Sequence, residues 1–220
     1  MVTDQIQMQE PTRRPVGRPS VAVERREQIF DAVEDCLVEF GLVGTTMERI
    51  AEWAGIPRSA IAHFAGNRDD VIDAAIERSV DRFLSMTHDA LAGAAPADRL
   101  QRFIDLTLTT RRWTQRAVIV MDEVVAYAHH SHHARRQLRV SYERVQSTVE
   151  GFVADRYPDA TPEAQRTAAS GLILVLREYD RVRTLGASAS PLDLRHQVKA
   201  LTELIVDSLE AEVNAKQPLA

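Results

Sequence analysis

Apolar residues recur every three or four positions along most of this chain, which is the period of an amphipathic helix. Between residues 24 and 40 the other positions of the helical wheel include several acidic side chains. The apolar positions of this first segment are Ile29, Val33, Cys36, Leu37 and Phe40. Since glycine commonly follows the last turn of a helix, the pattern predicts one helix ended by Gly41 and Gly44.

Two short helices are predicted next. Thr45 or Thr46 supplies a hydroxyl cap for the first of them, and Thr45-x-x-Glu48 has the spacing of a capping box. Gly55 then ends this helix after about two turns. The second runs from Pro57 to about Phe64, because proline is tolerated at the first helical position.

The rest of the chain carries longer apolar patterns separated by glycine and proline. The stretch from Ala117 to Val125 is rich in β-branched residues, but no second alternating segment exists to pair with it as a strand, so a helix is predicted there too. The predicted longer helices are 68–93, 97–111, 115–129, 134–156, 162–186 and 191–214. The predicted fold class is all-α, with about nine helices.

Composition narrows the class of protein. The hydrophobic share of 45% and the charged share of 27% are those of a globular chain. No apolar run approaches the ~18 residues that cross a bilayer, and no apolar segment follows a basic one at the N-terminus. The single cysteine, Cys36, excludes an intrachain disulfide and fits a reducing compartment. We therefore expect a cytoplasmic protein with no membrane partner.

The net charge of -5 argues against a nucleic-acid partner, but the charges are unevenly distributed. Residues 11–30 hold five arginines against two glutamates, and residues 56–68 hold two arginines and no acid. Residues 31–55, in contrast, carry six acids against one arginine. A basic face is therefore compatible with an acidic chain. Residues 1–20 are polar and contain three prolines, so we expect them to form a flexible arm.

Three residues at a fixed spacing indicate a helix-turn-helix. Gly55 and Ile61 follow Ala51 at offsets of four and ten residues, inside the predicted helix, turn and helix. The motif needs a small residue where the helices touch, a glycine for the positive φ of the turn and a branched apolar residue that seats the second helix. An ordinary helical hairpin with a glycine turn meets the same spacing and stays an alternative.

Short motifs between residues 17 and 76 add a family resemblance. They are Gly17-Arg-Pro, Arg26-x-x-Ile29, Phe40-Gly41, Thr45-Thr-Met-Glu-Arg-Ile-Ala51, Ala54-Gly-Ile-Pro-Arg-Ser-Ala-Ile61 and Gly66-Asn-Arg-Asp-Asp-Val-Ile72. This segment resembles the N-terminal domain of TetR-type transcriptional regulators. The chain departs from the family pattern at Ala62 and Ala65, where tyrosine and phenylalanine are usual, and at Pro57 and Arg68, where serine and lysine are common.

The resemblance implies a division of the chain and a function. It implies a flexible basic arm at 1–20, a DNA-binding domain at 21–67 with its helix-turn-helix at about 46–65, an effector-binding and dimerisation domain at 68–214, and a tail at 215–220. The implied function is that of a dimeric sequence-specific repressor, released by a small-molecule effector from a palindromic operator in double-stranded DNA. It implies neither enzymatic activity nor a cofactor or metal.

The residues expected to contact DNA follow from the same resemblance. Arg58, at the start of the recognition helix, is the best candidate for a bidentate contact to guanine, and a phosphate contact without sequence readout stays open. The arginines of the arm either reach a minor groove or belong to a solvated tail. The expected set is Arg13, Arg14, Arg18, Thr46, Arg49, Arg58, Ser59, His63 and Arg68.

The C-terminal body is expected to hold the dimer and the effector. Apolar residues in steps of three and four follow the last two helices, which by resemblance form a four-helix interface or else face only their own core. The expected interface residues are Leu172, Leu176, Leu194, Val198, Leu201 and Ile205. The residues expected to line an effector pocket, each of which also suits a core, are Phe83, Met86, Phe103, Met121, Tyr127, Tyr142 and Tyr179.

The run from His129 to His133 supports a different function. Its four imidazoles suit zinc, copper or nickel, so an all-helical metal-binding or enzymatic protein is the alternative. The run lies at a predicted helix junction and has no nearby cysteine, which favours a polar connector. The sequence has no glycine-rich phosphate loop, no His-Glu-x-x-His and no nucleophile elbow. A structural interaction module without DNA binding is a third alternative.

Overall fold

The computed structural model describes residues 21–109, 112–186 and 190–216, and all regular structure in these ranges is helical. The described chain forms nine helices. They are α1 (Val21–Gly44), α2 (Met47–Ala54), α3 (Arg58–Ala65), α4 (Arg68–Leu91), α5 (Pro96–Thr109), α6 (Arg112–Ala128), α7 (His132–Arg156), α8 (Pro162–Thr184) and α9 (Pro191–Lys216). The predicted all-α class is confirmed, and most helix ends lie within a few residues of their predicted positions.

The first helix continues past its predicted end. Gly41 has φ 64° and ψ 177°, which kinks α1, and helical geometry resumes up to Gly44. At the kink the backbone N–H of Leu42 donates to the Glu123 carboxylate of α6 at 2.7 Å. A Cβ atom on residue 41 would lie 2.9 Å from the same carboxylate. Position 41 therefore requires glycine both for its positive φ and for space.

Capping differs slightly from the prediction at both short helices. Thr46 caps α2, because its hydroxyl oxygen accepts a backbone N–H of the first turn at 3.3 Å. Thr45 is buried and donates its hydroxyl to a carbonyl of α1, so the predicted Thr45-x-x-Glu48 capping box gives way to a cap one residue later. Pro57 is the N-cap of α3 rather than its first helical residue.

The described residues form two apolar cores. The first joins α1, α2, α3 and the start of α4, and includes Val120 and Val124 of α6. The second joins the end of α4 with α5, α7, α8 and α9. Because α4 belongs to both cores and α6 packs on α1, the N-terminal helices rest directly on the body. The domain division near residue 67 stays a prediction. No helix in the described ranges has both the length and the apolar content needed to span a membrane.

Candidate DNA-binding face and internal cavity

The helix-turn-helix forms as the spacing predicts. Gly55 adopts φ 63° and ψ 30°, a left-handed conformation that suits glycine. The backbone N–H of Ile56 donates to the carbonyl of Ala51 at 3.1 Å, which closes the turn on α2. Ile61 is 0% exposed and lies in the first core, so it anchors α3 against α1 and α2.

The outer face of α3 presents the predicted recognition residues. Arg58, Ser59 and His63 are all exposed. The guanidinium of Arg58 donates to the carboxylate of Glu48 on α2 at 2.6 Å, and the two side chains are 64% and 65% exposed. A DNA base or phosphate that binds Arg58 therefore has to displace an exposed carboxylate, or share the guanidinium with it.

A shallow cleft lies between α2, α3 and the start of α4. Three of the residues predicted to contact DNA, namely Thr46, Arg58 and Arg68, line it together with residues that were not predicted. It is lined by Thr46, Met47, Glu48, Arg58, Ala62, Gly66, Asn67 and Arg68. Ala62 is exposed, so the small side chain leaves the cleft open where the family usually has tyrosine. Asn67 caps α4 in a capping box with Asp70, a pattern legible in the sequence as Asn-x-x-Asp after a glycine.

Two predicted DNA-contact arginines hold the backbone between α1 and α2. Arg49 donates to the carbonyl of Gly44 at 2.7 Å, and its guanidinium lies 4.3 Å from the centre of the Phe40 ring. Arg68 donates to the carbonyls of Thr45 at 2.9 Å and Leu42 at 2.6 Å. Both guanidinium groups therefore position the segment that leads into the helix-turn-helix. Arg13, Arg14 and Arg18 of the predicted arm lie outside the described residues.

A buried ion cluster, the Glu34 cluster, joins α1 to α4. Glu34 is 2% exposed and accepts from Arg82 at 3.1 Å and from Arg78 at 3.5 Å. Arg78 also pairs with Glu27 and Asp31 on the surface of α1, each at 2.8 Å. Burial lowers the pKa of Arg78, but the hydrogen bond and charge of Asp31, with the other two carboxylates, outweigh burial and raise the pKa above its usual value. Three carboxylates of α1 and two arginines of α4 thus fix α4 on α1.

The body encloses a largely apolar cavity of about 420 Å³, formed by α4, α5, α6, α7 and α8. This volume lies within the usual range for small-molecule sites, roughly 300–1,000 Å³. Its apolar lining is Val80, Phe83, Phe103, Val118, Met121, Val125, Leu138, Val145, Ile173 and Leu176. Its polar lining is Ser79, Thr107, Asp122, Arg139, Ser141, Tyr142, Arg177, Asp180 and Arg181.

Four of the predicted pocket residues line this cavity, namely Phe83, Phe103, Met121 and Tyr142. The other three predicted residues lie elsewhere. Met86 is 40% exposed, Tyr127 packs against the first core, and Tyr179 is buried with its hydroxyl donating to the carbonyl of Leu108 at 3.2 Å. The charged lining residues of α8 were not predicted. Their spacing could have indicated them, because Asp180 and Arg181 follow Arg177 by three and four residues and so lie on the same helix face.

The apolar stripes predicted for a dimer lie mostly inside one chain. Leu172, Leu176 and Val198 are at most 5% exposed, because α9 packs on α8, so these three side chains have almost no surface left for a partner. Ile205 is half-buried and lies 3.3 Å from where a Cβ of Gly171 would stand. Leu194 is half-buried, and Leu201 remains 48% exposed.

The histidine run lies at the predicted junction, between α6 and α7. His129, His130, His132 and His133 are all exposed. His133 contacts the carboxylate of Asp73 on α4, and Ser131 caps α7 by accepting the N–H of Ala134 at 3.2 Å. No group of three or more metal-ligating side chains comes together anywhere in the described part of the chain.

Comparisons with known proteins agree with this geometry. No protein-family model matches the chain. Among solved structures, a TetR transcription regulator from Haloarcula marismortui matches with a TM-score of 0.70 and 17% identity, over 84% of this chain and 98% of that one. A transcriptional regulator from Saccharomonospora viridis, solved in complex with choline, matches with a TM-score of 0.70 and 17% identity, over 82% of this chain and 96% of that one.

A curated relative decides the family. The HTH-type transcriptional regulator BetI of Burkholderia mallei, a TetR family member, is 30% identical over 195 residues, which cover 86% of this chain and 95% of the relative. The chain belongs to the TetR family of transcriptional regulators. As a TetR family member it is a helix-turn-helix regulator that binds DNA, which confirms the predicted class of function. TetR proteins are regulators rather than enzymes, so an enzyme built on the histidine run is not favoured.

Proposed function

We propose that this TetR protein is a dimeric repressor that leaves a palindromic operator when a small molecule occupies the internal cavity. The observation that supports the proposal is that α4 lines the cavity and is also bound to α1, the first of the N-terminal helices. Ser79 and Phe83 of α4 line the cavity, while Arg78 and Arg82, on the same turns, hold the buried Glu34 of α1. A ligand that displaces α4 therefore also shifts α1 and the DNA-binding helices, because the Glu34 cluster links α4 to α1.

The sixth helix supplies a second connection. Met121, Asp122 and Val125 line the cavity, and Glu123 between them accepts the backbone N–H of Leu42 at the kink of α1. The segment after this kink leads directly into α2 and α3. Because a ligand shifts an equilibrium only by its differential affinity for the two arrangements, the effector must favour an α6 position in which the two recognition helices no longer fit successive grooves.

On DNA, the exposed end of α3 carries sequence readout. We assign base contacts to Arg58 and Ser59, a base or phosphate contact to His63, and a phosphate contact to Thr46 at the start of α2. Arg49 and Arg68 hold the segment before α2 through part of their guanidinium groups, and we assign the remaining N–H donors of both to phosphates. The proposed minor-groove contacts are Arg13, Arg14 and Arg18 of the arm.

The dimer interface proposed here is the outer face of α8 and α9. Leu174, Leu201 and Leu204 are 62%, 48% and 65% exposed, and exposed leucines on two neighbouring helices are typical of a protein interface. The buried Leu172 and Leu176 support that face from within. A two-fold pair of such faces forms a four-helix interface and sets the two recognition helices about 34–36 Å apart, one turn of DNA.

The ligand is a small molecule that fills the cavity. The structural neighbour from Saccharomonospora viridis was solved with choline, which supports a small-molecule ligand for this chain as well. The cavity of about 420 Å³ has the size for such a compound.

Selection of binding sites from a random DNA pool tests the proposal. Wild-type protein is expected to enrich a palindrome, and Arg58→Ala is expected to relax base preference at one symmetric pair of positions. Arg102→Ala is the matched control, because Arg102 is an exposed arginine of α5 outside the cleft and is expected to select the same sequence as wild type. Failure to enrich any sequence at low salt without ligand contradicts sequence-specific binding.

The dimer is tested by the mass of the protein in solution. Leu204→Glu places a charge on the proposed interface and is expected to shift the protein from dimer to monomer. Leu185→Glu, at an equally exposed leucine beyond the end of α8, is expected to remain dimeric. A monomeric wild-type protein, or a Leu204→Glu variant that stays dimeric, contradicts the proposed interface.

A further inference from the structure

We infer that the cavity takes an amphipathic anion, with an apolar body and a single carboxylate-like head group, and that Arg139 binds the head group. This inference rests on the proposed function, because it treats the cavity as the effector site. It concerns the charge of the ligand, which the apolar lining alone does not determine.

The depth of the cavity suits an apolar body. Most of the wall comes from aliphatic and aromatic side chains of five helices, including Phe83, Phe103 and Ile173. At roughly 30 Å³ for each non-hydrogen atom, the share that a water molecule takes in the liquid, about 420 Å³ holds a dozen or so such atoms. A medium-length acyl chain has this size.

Among the described residues, the polar lining carries more positive than negative charge. Arg139 of α7 and Arg177 and Arg181 of α8 stand against two carboxylates, Asp122 of α6 and Asp180 of α8. Arginine recognises carboxylate and phosphate groups in a bidentate manner, whereas an excess of guanidinium groups repels a cationic ligand. The charge balance of the lining therefore favours an anion.

The two carboxylates found among the described lining residues already have cationic partners. Asp122 lies 3.4 Å from the Nε of Arg181 and 3.9 Å from an Nη of Arg177. Asp180 is 6% exposed and accepts from Arg183 at 2.8 Å. A cationic ligand must compete with a guanidinium group for either carboxylate, and it gains little from an acid that is already neutralised.

Arg139 differs from the other two cavity arginines in its partners. Within the described residues no carboxylate lies at ion-pair distance from its guanidinium, and the side chain is exposed at the rim of the cavity. It shares α7 with Ser141 and Tyr142, two polar residues that also line the cavity. A ligand carboxylate at this rim gains a charge-assisted hydrogen bond while its alkyl chain stays in the apolar interior.

Titration calorimetry of the full-length protein with three probes of similar size tests the inference. The probes are decanoate, 1-decanol and octyltrimethylammonium, which each carry an unbranched alkyl chain, have similar numbers of non-hydrogen atoms and differ in head-group charge. Decanoate is expected to bind roughly tenfold more tightly than decanol, the lower end for a hydrogen bond to a charged group, and octyltrimethylammonium more weakly than decanol. Tighter binding of octyltrimethylammonium than of decanoate, or no binding of decanoate, overturns the inference.

Variants locate the head group. Arg139→Gln is expected to bring decanoate and decanol to within about threefold of each other with decanol affinity unchanged, and Arg139→Lys to keep a preference for decanoate. The matched control is Arg136→Gln, one turn earlier on α7 and outside the cavity lining, which is expected to bind as wild type. An Arg139→Gln variant that keeps the full preference for decanoate overturns the assignment.

Operator affinity measured in parallel separates the two proposals. If decanoate binds through Arg139 and leaves DNA affinity unchanged, the inference holds and the proposed release mechanism fails. If a cationic probe fills the cavity and releases DNA while decanoate does neither, the release mechanism holds and the inference is overturned.

Discussion

Replacing Glu34 by glutamine is expected to lower the free energy of unfolding by about 3 kcal/mol. Glu34 is 2% exposed and accepts from Arg82 at 3.1 Å and from Arg78 at 3.5 Å. A hydrogen bond to a charged group contributes roughly 1.5–3 kcal/mol, and breaking a buried ion pair from one side costs roughly 3–5 kcal/mol. Glutamine keeps the volume of the side chain but removes the charge that both guanidinium groups share.

The lower end of that range applies because the arginines keep other partners. Arg78 retains Glu27 and Asp31, each at 2.8 Å, so its charge is not left unpaired. Asp31→Asn is the matched control, since it also removes one negative charge from the same cluster. Asp31 is 61% exposed, and an exposed ion pair contributes roughly 0–1 kcal/mol. The two variants are therefore expected to differ by about 2 kcal/mol or more.

Urea and thermal denaturation at one fixed protein concentration measure this difference. For a chain of this length, 3 kcal/mol corresponds to a Tm decrease of roughly 6–12 °C. The reasoning is refuted if Glu34→Gln costs less than about 1 kcal/mol, or if Asp31→Asn costs as much as Glu34→Gln. Either result would mean that exposed charge, rather than the buried carboxylate, fixes α4 on α1.

Three further predictions each concern one side chain, namely Tyr157, Cys36 and Glu48. Burial and the hydrogen bond to Glu210 raise the pKa of Tyr157 from 10.0 to about 12, so its contribution to stability is complete below pH 10 and lost between pH 10 and 12. Tyr157→Phe is therefore expected to lose less stability than wild type between pH 9 and 12, measured by urea denaturation. Burial raises the pKa of the Cys36 thiol, so we expect a thiol reagent to modify it at least about 100-fold more slowly in the folded than in the urea-unfolded protein; equal rates contradict this. Glu48→Gln frees Arg58 from an exposed ion pair worth roughly 0–1 kcal/mol and is expected to tighten operator binding up to about fivefold; weaker binding contradicts the proposed role of Arg58.

The DNA-binding helices were predictable because their signals are local. Gly55 forms the turn after α2, and Ile61 anchors α3 directly after that turn. The spacing of these two residues was therefore enough to predict the geometry that the structure confirms. The end of α1 was not predictable in the same way. The kink at Gly41 depends on Glu123 of α6, a residue far along the chain, and no local pattern indicates that contact.

The cavity and the proposed interface were harder to predict from the sequence. Helical periodicity identifies an apolar face but does not tell whether that face borders a cavity, a core or a partner. Phe83 and Tyr179 occupy similar apolar positions, yet Phe83 lines the cavity while Tyr179 fills the second core. Leu172 and Leu204 both belong to apolar stripes, yet one is fully buried in its own chain and the other is 65% exposed.

Neighbouring carboxylates on α6 connect the inferred ligand to the proposed release mechanism. Asp122 faces the cavity and pairs with Arg181 of α8, whereas Glu123 turns to α1 and holds the N–H of Leu42. In the inferred complex, the carboxylate bound by Arg139 of α7 adds a negative charge to the cavity that Asp122 also lines, and repulsion between the two carboxylates is expected to displace α6. Because Glu123 lies one residue away on a rigid helix, the same displacement reaches the kink that precedes the helix-turn-helix. The charge of the ligand, and not only its volume, then determines how strongly it acts on DNA binding.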